Sequence, residues 1–335
     1  MTRWAGDPEA AAQALIESAL DIVQPRGRVL LAEGSAALET AIAGPGIVTT
    51  LWRRRFNTWI AAQPAPPDGP FDCALLRLPK SRQEQWMAAA QCLGVLVPGG
   101  RLILYGGNDE GVRPLQKLLA EQGEVTTLAS RGHGRVMAVR RLDKGGLGKT
   151  KIADWRRNEF DGPAGGDWFT YPGLFAGGML DSGTALLLAH LPPVSASAAV
   201  LDYGCGPGAI SAAIRRIRPA VRLTLLDNDS VALVAAGENV PGADTVLGDR
   251  LSALGKARFD LIVSNPPLHA GFRADLSPLH RLIAEAPRHL SKDGVLLMVV
   301  LRRIALERAF GDAFGAAEIV ADDGLYRVWR AGKEK

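Results

Sequence analysis

The chain is poor in cysteine, in long apolar runs and in net charge, and each shortage removes a class of protein. Its three cysteines, Cys73, Cys92 and Cys205, are odd in number and show no C-x-x-C spacing. Neither a disulfide framework nor a zinc site is expected from them, and no metal is called for. No apolar stretch approaches the roughly 20 residues that span a bilayer. The first thirty residues carry Asp7, Glu9, Glu17 and Asp21, which does not read as a signal peptide. A reducing cytoplasm without a membrane partner is the expected setting. What remains is ordinary globular composition, 47% hydrophobic and 22% charged over 335 residues, enough for two cores.

The formal charge of +4 is unevenly placed. Residues 1–165 hold 21 Lys and Arg against 17 Asp and Glu, whereas residues 166–335 hold 18 of each. The basic residues cluster at Arg53-Arg54-Arg55, around Arg131–Arg141 and across Lys144–Arg157. Such clusters suit a phosphate-binding face, because Lys and Arg displace condensed counterions from nucleic acid.

The two halves are similar to each other. G-R-V-L-L-A-E-G-S-A-A-L (27–38), F-D-C-A-L-L-R-L-P-K-S (71–81) and L-V-P-G-G-R-L-I-L-Y (96–105) match A-V-L-D-Y-G-C-G-P-G-A-I (199–210), F-D-L-I-V-S-N-P-P-L-H (259–269) and L-S-K-D-G-V-L-L-M-V-V (290–300). Short β-rich runs alternate with Ala/Leu-rich helical stretches such as 85–97 and 278–289, which predicts parallel β-α units with helices on both sheet faces. The copies differ at their loops. Where the second has Asp202-Tyr203-Gly204-Cys205-Gly206-Pro207-Gly208, the first has Glu33-Gly34-Ser35-Ala36-Ala37, and Leu78-Pro79-Lys80 is set against Asn265-Pro266-Pro267. One half thus reads as an active α/β domain, residues 151–335, and the other, residues 1–150, as a duplicate without its site. Residues 143–167 suit a linker. G-L-G-K-T (146–150) there is no phosphate loop, since Asp143 stands where the motif needs a glycine.

In the second half the buried-strand run A-A-V-L (198–201) feeds a G-x-G-x-G turn and then the apolar stretch A-I-S-A-A-I (209–214). Gly204, Gly206 and Gly208 permit positive φ and close approach of a ligand to the backbone, and the helix N-terminus behind them adds free N–H groups. Asp202 inside the turn would repel a pyrophosphate but would help to hold an ammonium. S-adenosylmethionine carries an ammonium and no phosphate. Asp227 ends the run R-L-T-L-L-D (222–227), where a carboxylate meets ribose hydroxyls in a doubly wound sheet, and Asp249 follows V-L-G at a third strand end, suited to the adenine amine.

F-D-L-I-V (259–263) stops at Ser264-Asn265-Pro266-Pro267-Leu268-His269. A strand cannot run through two prolines, which lack the ladder N–H. With these motifs the chain resembles the class I S-adenosylmethionine-dependent methyltransferases, and more closely the ribosomal small-subunit methyltransferase C family. The resemblance extends over nearly the whole length, through P-G-L-F-A-G-G-M-L-D-S-G-T-A-L-L-L (172–188), L-P-K-S (78–81) and V-P-G-G-R-L-I-L-Y-G-G-N-D-E-G-V (97–112). It implies two tandem Rossmann-like α/β domains with seven-stranded mixed sheets, the first degenerate and binding no S-adenosylmethionine. It implies methyl transfer to the exocyclic 2-amino group of a guanine in 16S rRNA. Asn265 Oδ1 and the Pro266 carbonyl would accept the two N–H bonds of that amine, and Pro267 would stiffen the turn. The family has an aromatic residue where this chain has Leu268, so Phe272 or Phe175 would take over stacking on the base. His269 matches the family's histidine and suits a structural role. Arg53, Arg54 and Arg55 would grip rRNA phosphates. Three other readings stand beside this one: the large-subunit sister enzyme, a protein glutamine-amide methyltransferase, and an RNA-binding assembly factor without catalysis.

Overall fold

One six-stranded and one seven-stranded sheet arise from the two copies. In the computed structural model, residues 7–58, 60–121, 123–142, 148–159, 162–163, 165–178, 180–266 and 276–332 are described. Contacts divide the chain into two units, Met1–Arg156 and Arg157–Lys335. Residues 151–156 therefore go with the first unit, where Trp155 meets Trp86 edge-on, with ring centroids 6.1 Å apart.

The first sheet contains β1 (Gly27–Ala32), β2 (Ile47–Trp52), β3 (Phe71–Arg77), β4 (Leu96–Gly107), β5 (Gly123–Arg131) and β6 (Gly134–Arg141). Their order is β2-β1-β3-β4-β6-β5, with β5 and β6 antiparallel to their neighbours. A short hairpin, β7 (Arg157–Glu159) and β8 (Trp168–Thr170), opens the second unit. The second sheet contains β9 (Ala199–Tyr203), β10 (Arg222–Asp227), β11 (Asp244–Leu247), β12 (Phe259–Ser264), β13 (Leu290–Leu301), β14 (Glu318–Asp322) and β15 (Tyr326–Gly332). Its order is β11-β10-β9-β12-β13-β15-β14. The first sheet follows the same plan with six strands among the described residues: the counterpart of β11 is missing.

Local sequence explains these elements. β9, β12 and the inner part of β13 are apolar and buried on both faces, as a parallel sheet covered by helices requires. The helix Ser277–His289 buries Leu279, Leu282, Ile283 and Ala286, an i, i+3, i+4, i+7 stripe, against one face of the sheet. The helix Ala209–Ile217 buries Ile210, Ala212 and Ile214 on the other. Going outward from β9, chain order reverses between β10 on one side and β12 on the other. Doubly wound sheets bind ligands at the carboxyl ends of the strands flanking such a point.

Strand registers fix how the two copies correspond. Leu31 is the β1 partner of Leu75, and Asp202 is the β9 partner of Val263; Leu75 and Val263 each stand four residues after the Phe of their shared Phe-Asp pair. Leu31 therefore occupies the place of Asp202, Glu33 that of Gly204, and Arg77 that of Asn265. The expected frames are both displaced: Glu33 opposite Asp202 by two residues, and Leu78-Pro79-Lys80 opposite Asn265-Pro266-Pro267 by one.

Candidate functional site

The carboxyl ends of β9, β10 and β12 converge in the second unit. Gly204, Gly206 and Gly208 have φ of +69°, +53° and +90°, all in the left-handed region. Above Gly206 an added Cβ would meet nothing within 4 Å, so space for a ligand lies directly over the backbone. At Gly208 a Cβ would come within 2.9 Å of Val240 Cγ2, so that glycine serves packing of the loop onto the end of the helix Ser230–Asn239. The loop is pinned from β10: the amides of Gly204 and Cys205 donate to the Leu226 carbonyl at 2.8 and 3.1 Å. Asn239, which nothing in the sequence marks, donates to the carbonyls of Pro207 and Phe169 at 2.9 Å each.

The three acids expected to touch a ligand stand differently. Asp202 is fully buried, and its Oδ2 accepts both the amide (3.1 Å) and the hydroxyl (2.8 Å) of Ser211 in the first turn of the following helix. Its Oδ1 is also buried and has no hydrogen-bond partner among the described residues. Burial pushes this carboxyl up to about 7, against the pull of the Ser211 bonds. The Asp202 carboxylate, expected to pair with a ligand ammonium, lies beneath the loop, sealed from solvent, and braces it through Ser211. Asp227 accepts the Gly206 amide at 2.8 Å and the Asp229 amide at 2.9 Å, and stays half-buried at the rim. Asp249 faces Arg250 Nε at 3.3 Å and Arg281 Nη1 at 3.8 Å, with about a third of its side chain exposed.

β12 ends at Ser264, whose hydroxyl donates to the Tyr203 carbonyl at 2.8 Å and so ties this strand end to the glycine loop. Asn265 follows. Its Nδ2 donates to Asp181 Oδ2 at 2.9 Å and to Thr184 Oγ1 at 2.8 Å. Asp181 caps the helix Ser182–Ala189, accepting from the amides of Gly183 and Thr184. Both partners lie in the 172–188 segment, but their contact with Asn265 spans 84 and 81 residues of chain and is invisible in either motif alone. Pro266 is buried. Pro267, Leu268, His269 and Phe272 lie outside the described residues. Phe175 opens a 3-10 turn, Phe175–Gly178, and is 60% exposed, a large ring left in solvent.

The arginine triplet of the first unit is not the open basic face expected from the sequence. Arg54 is 2% exposed and lies 3.6 Å from the buried Glu84, while Arg55 grips Glu84 through both nitrogens at 2.6 and 2.9 Å. Arg53 Nε lies 3.8 Å from Glu33, which also accepts the Arg54 amide at 2.7 Å. Burial raises the Glu33 carboxyl against that bond and the arginine charges. The buried Glu84 and the half-buried Glu33 thus hold the triplet in ion pairs, with Arg54 enclosed while Arg53 and Arg55 keep 28% and 40% of their side chains exposed. At the place of Asn265, Arg77 bridges Glu110 (2.6 Å) and Glu9 (3.1 Å).

The family model described as methyltransferase small domain matches residues 166–330, and the one described as methyltransferase small domain N-terminal matches residues 51–155. The ribosomal RNA small subunit methyltransferase C of Pseudomonas entomophila is 34% identical over 275 residues, covering 79% of this chain and 80% of that protein. The chain belongs to the ribosomal RNA small subunit methyltransferase C family. A second member, from Escherichia coli O6:H1, is 33% identical over 279 residues, covering 80% of this chain and 78% of its own. Among solved structures, the T. thermophilus 16S rRNA N2 G1207 methyltransferase in complex with AdoMet and guanosine superposes with a TM-score of 0.78. It covers 99% of this chain and 93% of its own at 23% identity, so the family's two-unit fold is shared along the length. As expected for this family, the first copy is the degenerate one: Glu33 keeps φ of +54° where the second copy has Gly204, and Ser35 caps a plain helix by accepting from the Leu38 amide.

Proposed function

We propose that this chain transfers the methyl group of S-adenosylmethionine to the exocyclic 2-amino group of a guanine in 16S rRNA. Family membership supports the reaction class, and the T. thermophilus relative is described with AdoMet and guanosine. The observation that carries the reading is the Asn265 amide. Both its N–H bonds are spent on Asp181 and Thr184, which leaves Oδ1 as an oriented acceptor at the carboxyl end of β12, one strand from the glycine loop.

The residues present fit the donor molecule. The open space over Gly206 admits a ligand against the backbone, Asp227 suits the ribose hydroxyls, and Asp249 suits the adenine amine. Asp202 holds Ser211 and thereby the helix N-terminus behind the loop. When bound, S-adenosylmethionine supplies a sulfonium methyl: the nitrogen–carbon bond forms as the sulfur–carbon bond breaks, the electron pair stays on sulfur, and the surplus amine proton passes to water. A purine amine is planar and weakly nucleophilic because its lone pair is delocalised. Asn265 Oδ1 and the Pro266 carbonyl each accept one of its N–H bonds, which fixes its orientation and favours a pyramidal nitrogen. Positioning of this kind lowers the barrier without a strong base. Phe175 is the described ring available to stack on the base, a contact of roughly 1–3 kcal/mol.

The surface for rRNA phosphates is moved from Arg53–Arg55 to a groove in the first unit. Arg113, Gln116, Lys117 and Ala120 on the helix Val112–Leu119 and its end, with Val125 and Arg135 on β5 and β6, line a hollow of about 630 Å³. Among the described residues, three cations and no acid line it.

Tritium transfer from labelled S-adenosylmethionine to 16S rRNA, followed by nuclease digestion and mass analysis, tests the reaction. N2-methylguanosine is the expected product. Label in 23S rRNA alone, or in a protein glutamine, sinks the assignment.

A further inference from the structure

Three residues close a hydrogen-bonded triangle in which every proton is assigned. Asp181 Oδ2 accepts from Thr184 Oγ1 at 2.7 Å and from Asn265 Nδ2 at 2.9 Å, and Thr184 Oγ1 is 2.8 Å from the same Nδ2. A carboxylate can only accept. The single hydroxyl proton of Thr184 is therefore spent on Asp181, and the threonine oxygen receives the second amide proton of Asn265. The amide cannot turn over without setting its oxygen against the carboxylate. Asp181 is itself immobilised, because its Oδ1 takes the Gly183 and Thr184 amides at 2.9 and 3.2 Å.

We propose that Asp181 and Thr184 are positioning residues for methyl transfer, acting through Asn265. This rests on the reading of Asn265 as the acceptor for the target amine. They hold one of the two amide orientations. The Asp181 charge also draws the amide nitrogen's protons toward itself, shifting electron density onto Asn265 Oδ1. Hydrogen bonds in series strengthen one another in this way. The target amine thus meets a strengthened neutral oxygen, while the full negative charge stays one side chain behind it.

A purely structural role, a helix cap tied to a strand end, makes a different prediction. Asp181→Asn preserves the cap, since Asn caps helices as well as Asp does. It places an NH2 group against Asn265 Nδ2, and the Asn265 amide must flip, presenting a donor to a donor. The tests use the full chain with 16S rRNA. Asp181→Asn and Thr184→Val are expected to lower kcat about 100-fold, the scale of a small misplacement at a reacting centre. KM for rRNA, S-adenosylmethionine affinity and melting temperature should change little, and Thr184→Ser, which keeps the hydroxyl, should recover most of the turnover lost in Thr184→Val. Unchanged kcat in Asp181→Asn overturns the proposal, as does a loss shared by Thr184→Ser that follows melting temperature. A second readout needs no turnover: the side-chain amide 15N resonance of Asn265, assigned by its disappearance in Asn265→Ala, should move in Asp181→Asn. A fixed resonance overturns the triangle, whereas an inactive wild type with a moving resonance overturns only the assigned reaction.

Discussion

Asp202 and Ser211 are joined by two hydrogen bonds to one carboxylate oxygen, and that bond pair is sealed from solvent. The expected consequence is a stability that depends on pH. Burial lifts Asp202 from an ordinary 3.8 to about 7. Between those values the folded chain holds a proton that the unfolded chain has released, so raising the pH favours unfolding. The stability is fully present below about pH 4 and is lost as pH rises through about 7, by about 4 kcal/mol. Urea unfolding of the second unit's transition across pH 4–8 measures it. Asp202→Asn, which keeps an acceptor for Ser211, should flatten this slope; an unaltered slope locates the titration elsewhere.

Two glycines of one loop should fail in different ways. Gly206→Ala meets no atom and costs about 1 kcal/mol for its positive φ, yet it should abolish S-adenosylmethionine binding by filling the space over the backbone. Gly208→Ala collides with Val240 and should cost more, about 2–3 kcal/mol, in stability. Isothermal titration beside thermal unfolding separates the two. Normal cofactor affinity in Gly206→Ala contradicts the placement of the ligand.

Arg54→Ala removes one of the two cations on the buried Glu84, which Arg55 still holds, and should destabilise the first unit by about 1–3 kcal/mol. Reversing Arg53, Arg54 and Arg55 to Glu is expected to unfold that unit before it reports on RNA. Chemical denaturation followed by Trp86 fluorescence decides; a stable triple variant with lost RNA affinity restores the triplet as a binding face.

In the groove, Arg113→Ala, Lys117→Ala and Arg135→Ala should each weaken rRNA binding without changing the melting temperature. Each should make the plot of log affinity against log salt shallower by about 0.7–0.9 per phosphate contact removed. Parallel plots for wild type and all three variants reject the groove.

The β-α alternation, the duplication and the glycine loop were legible because they are local: apolar runs, turn residues and a helix pattern within a dozen positions. What escaped the sequence is long-range. Arg53-Arg54-Arg55 reads as surface until Glu33 and Glu84, remote in sequence, are folded against it. That Asp202 braces its own loop from beneath is a tertiary fact that its motif does not show. The Asn265 acceptor was visible in its motif, but the residues that aim it sit more than 80 positions earlier. The one-residue shift between the copies came from the prolines: Pro79 resembles Pro266 by type, whereas strand pairing sets Leu78 at that place.

Arg77 and Glu33, standing where the other copy has Asn265 and Gly204, set charged side chains of the first unit, joined to Glu9, Glu110 and Arg53, around a hollow of about 350 Å³. A bound molecule stabilises only the state that binds it, by an amount set by its concentration over its dissociation constant. In a calorimeter the two copies should therefore part company: added S-adenosylmethionine raises the second unit's melting transition and leaves the first where it was. On that outcome the chain would carry its own internal thermometer standard, one ancestral scaffold answering to ligand and its twin indifferent to it.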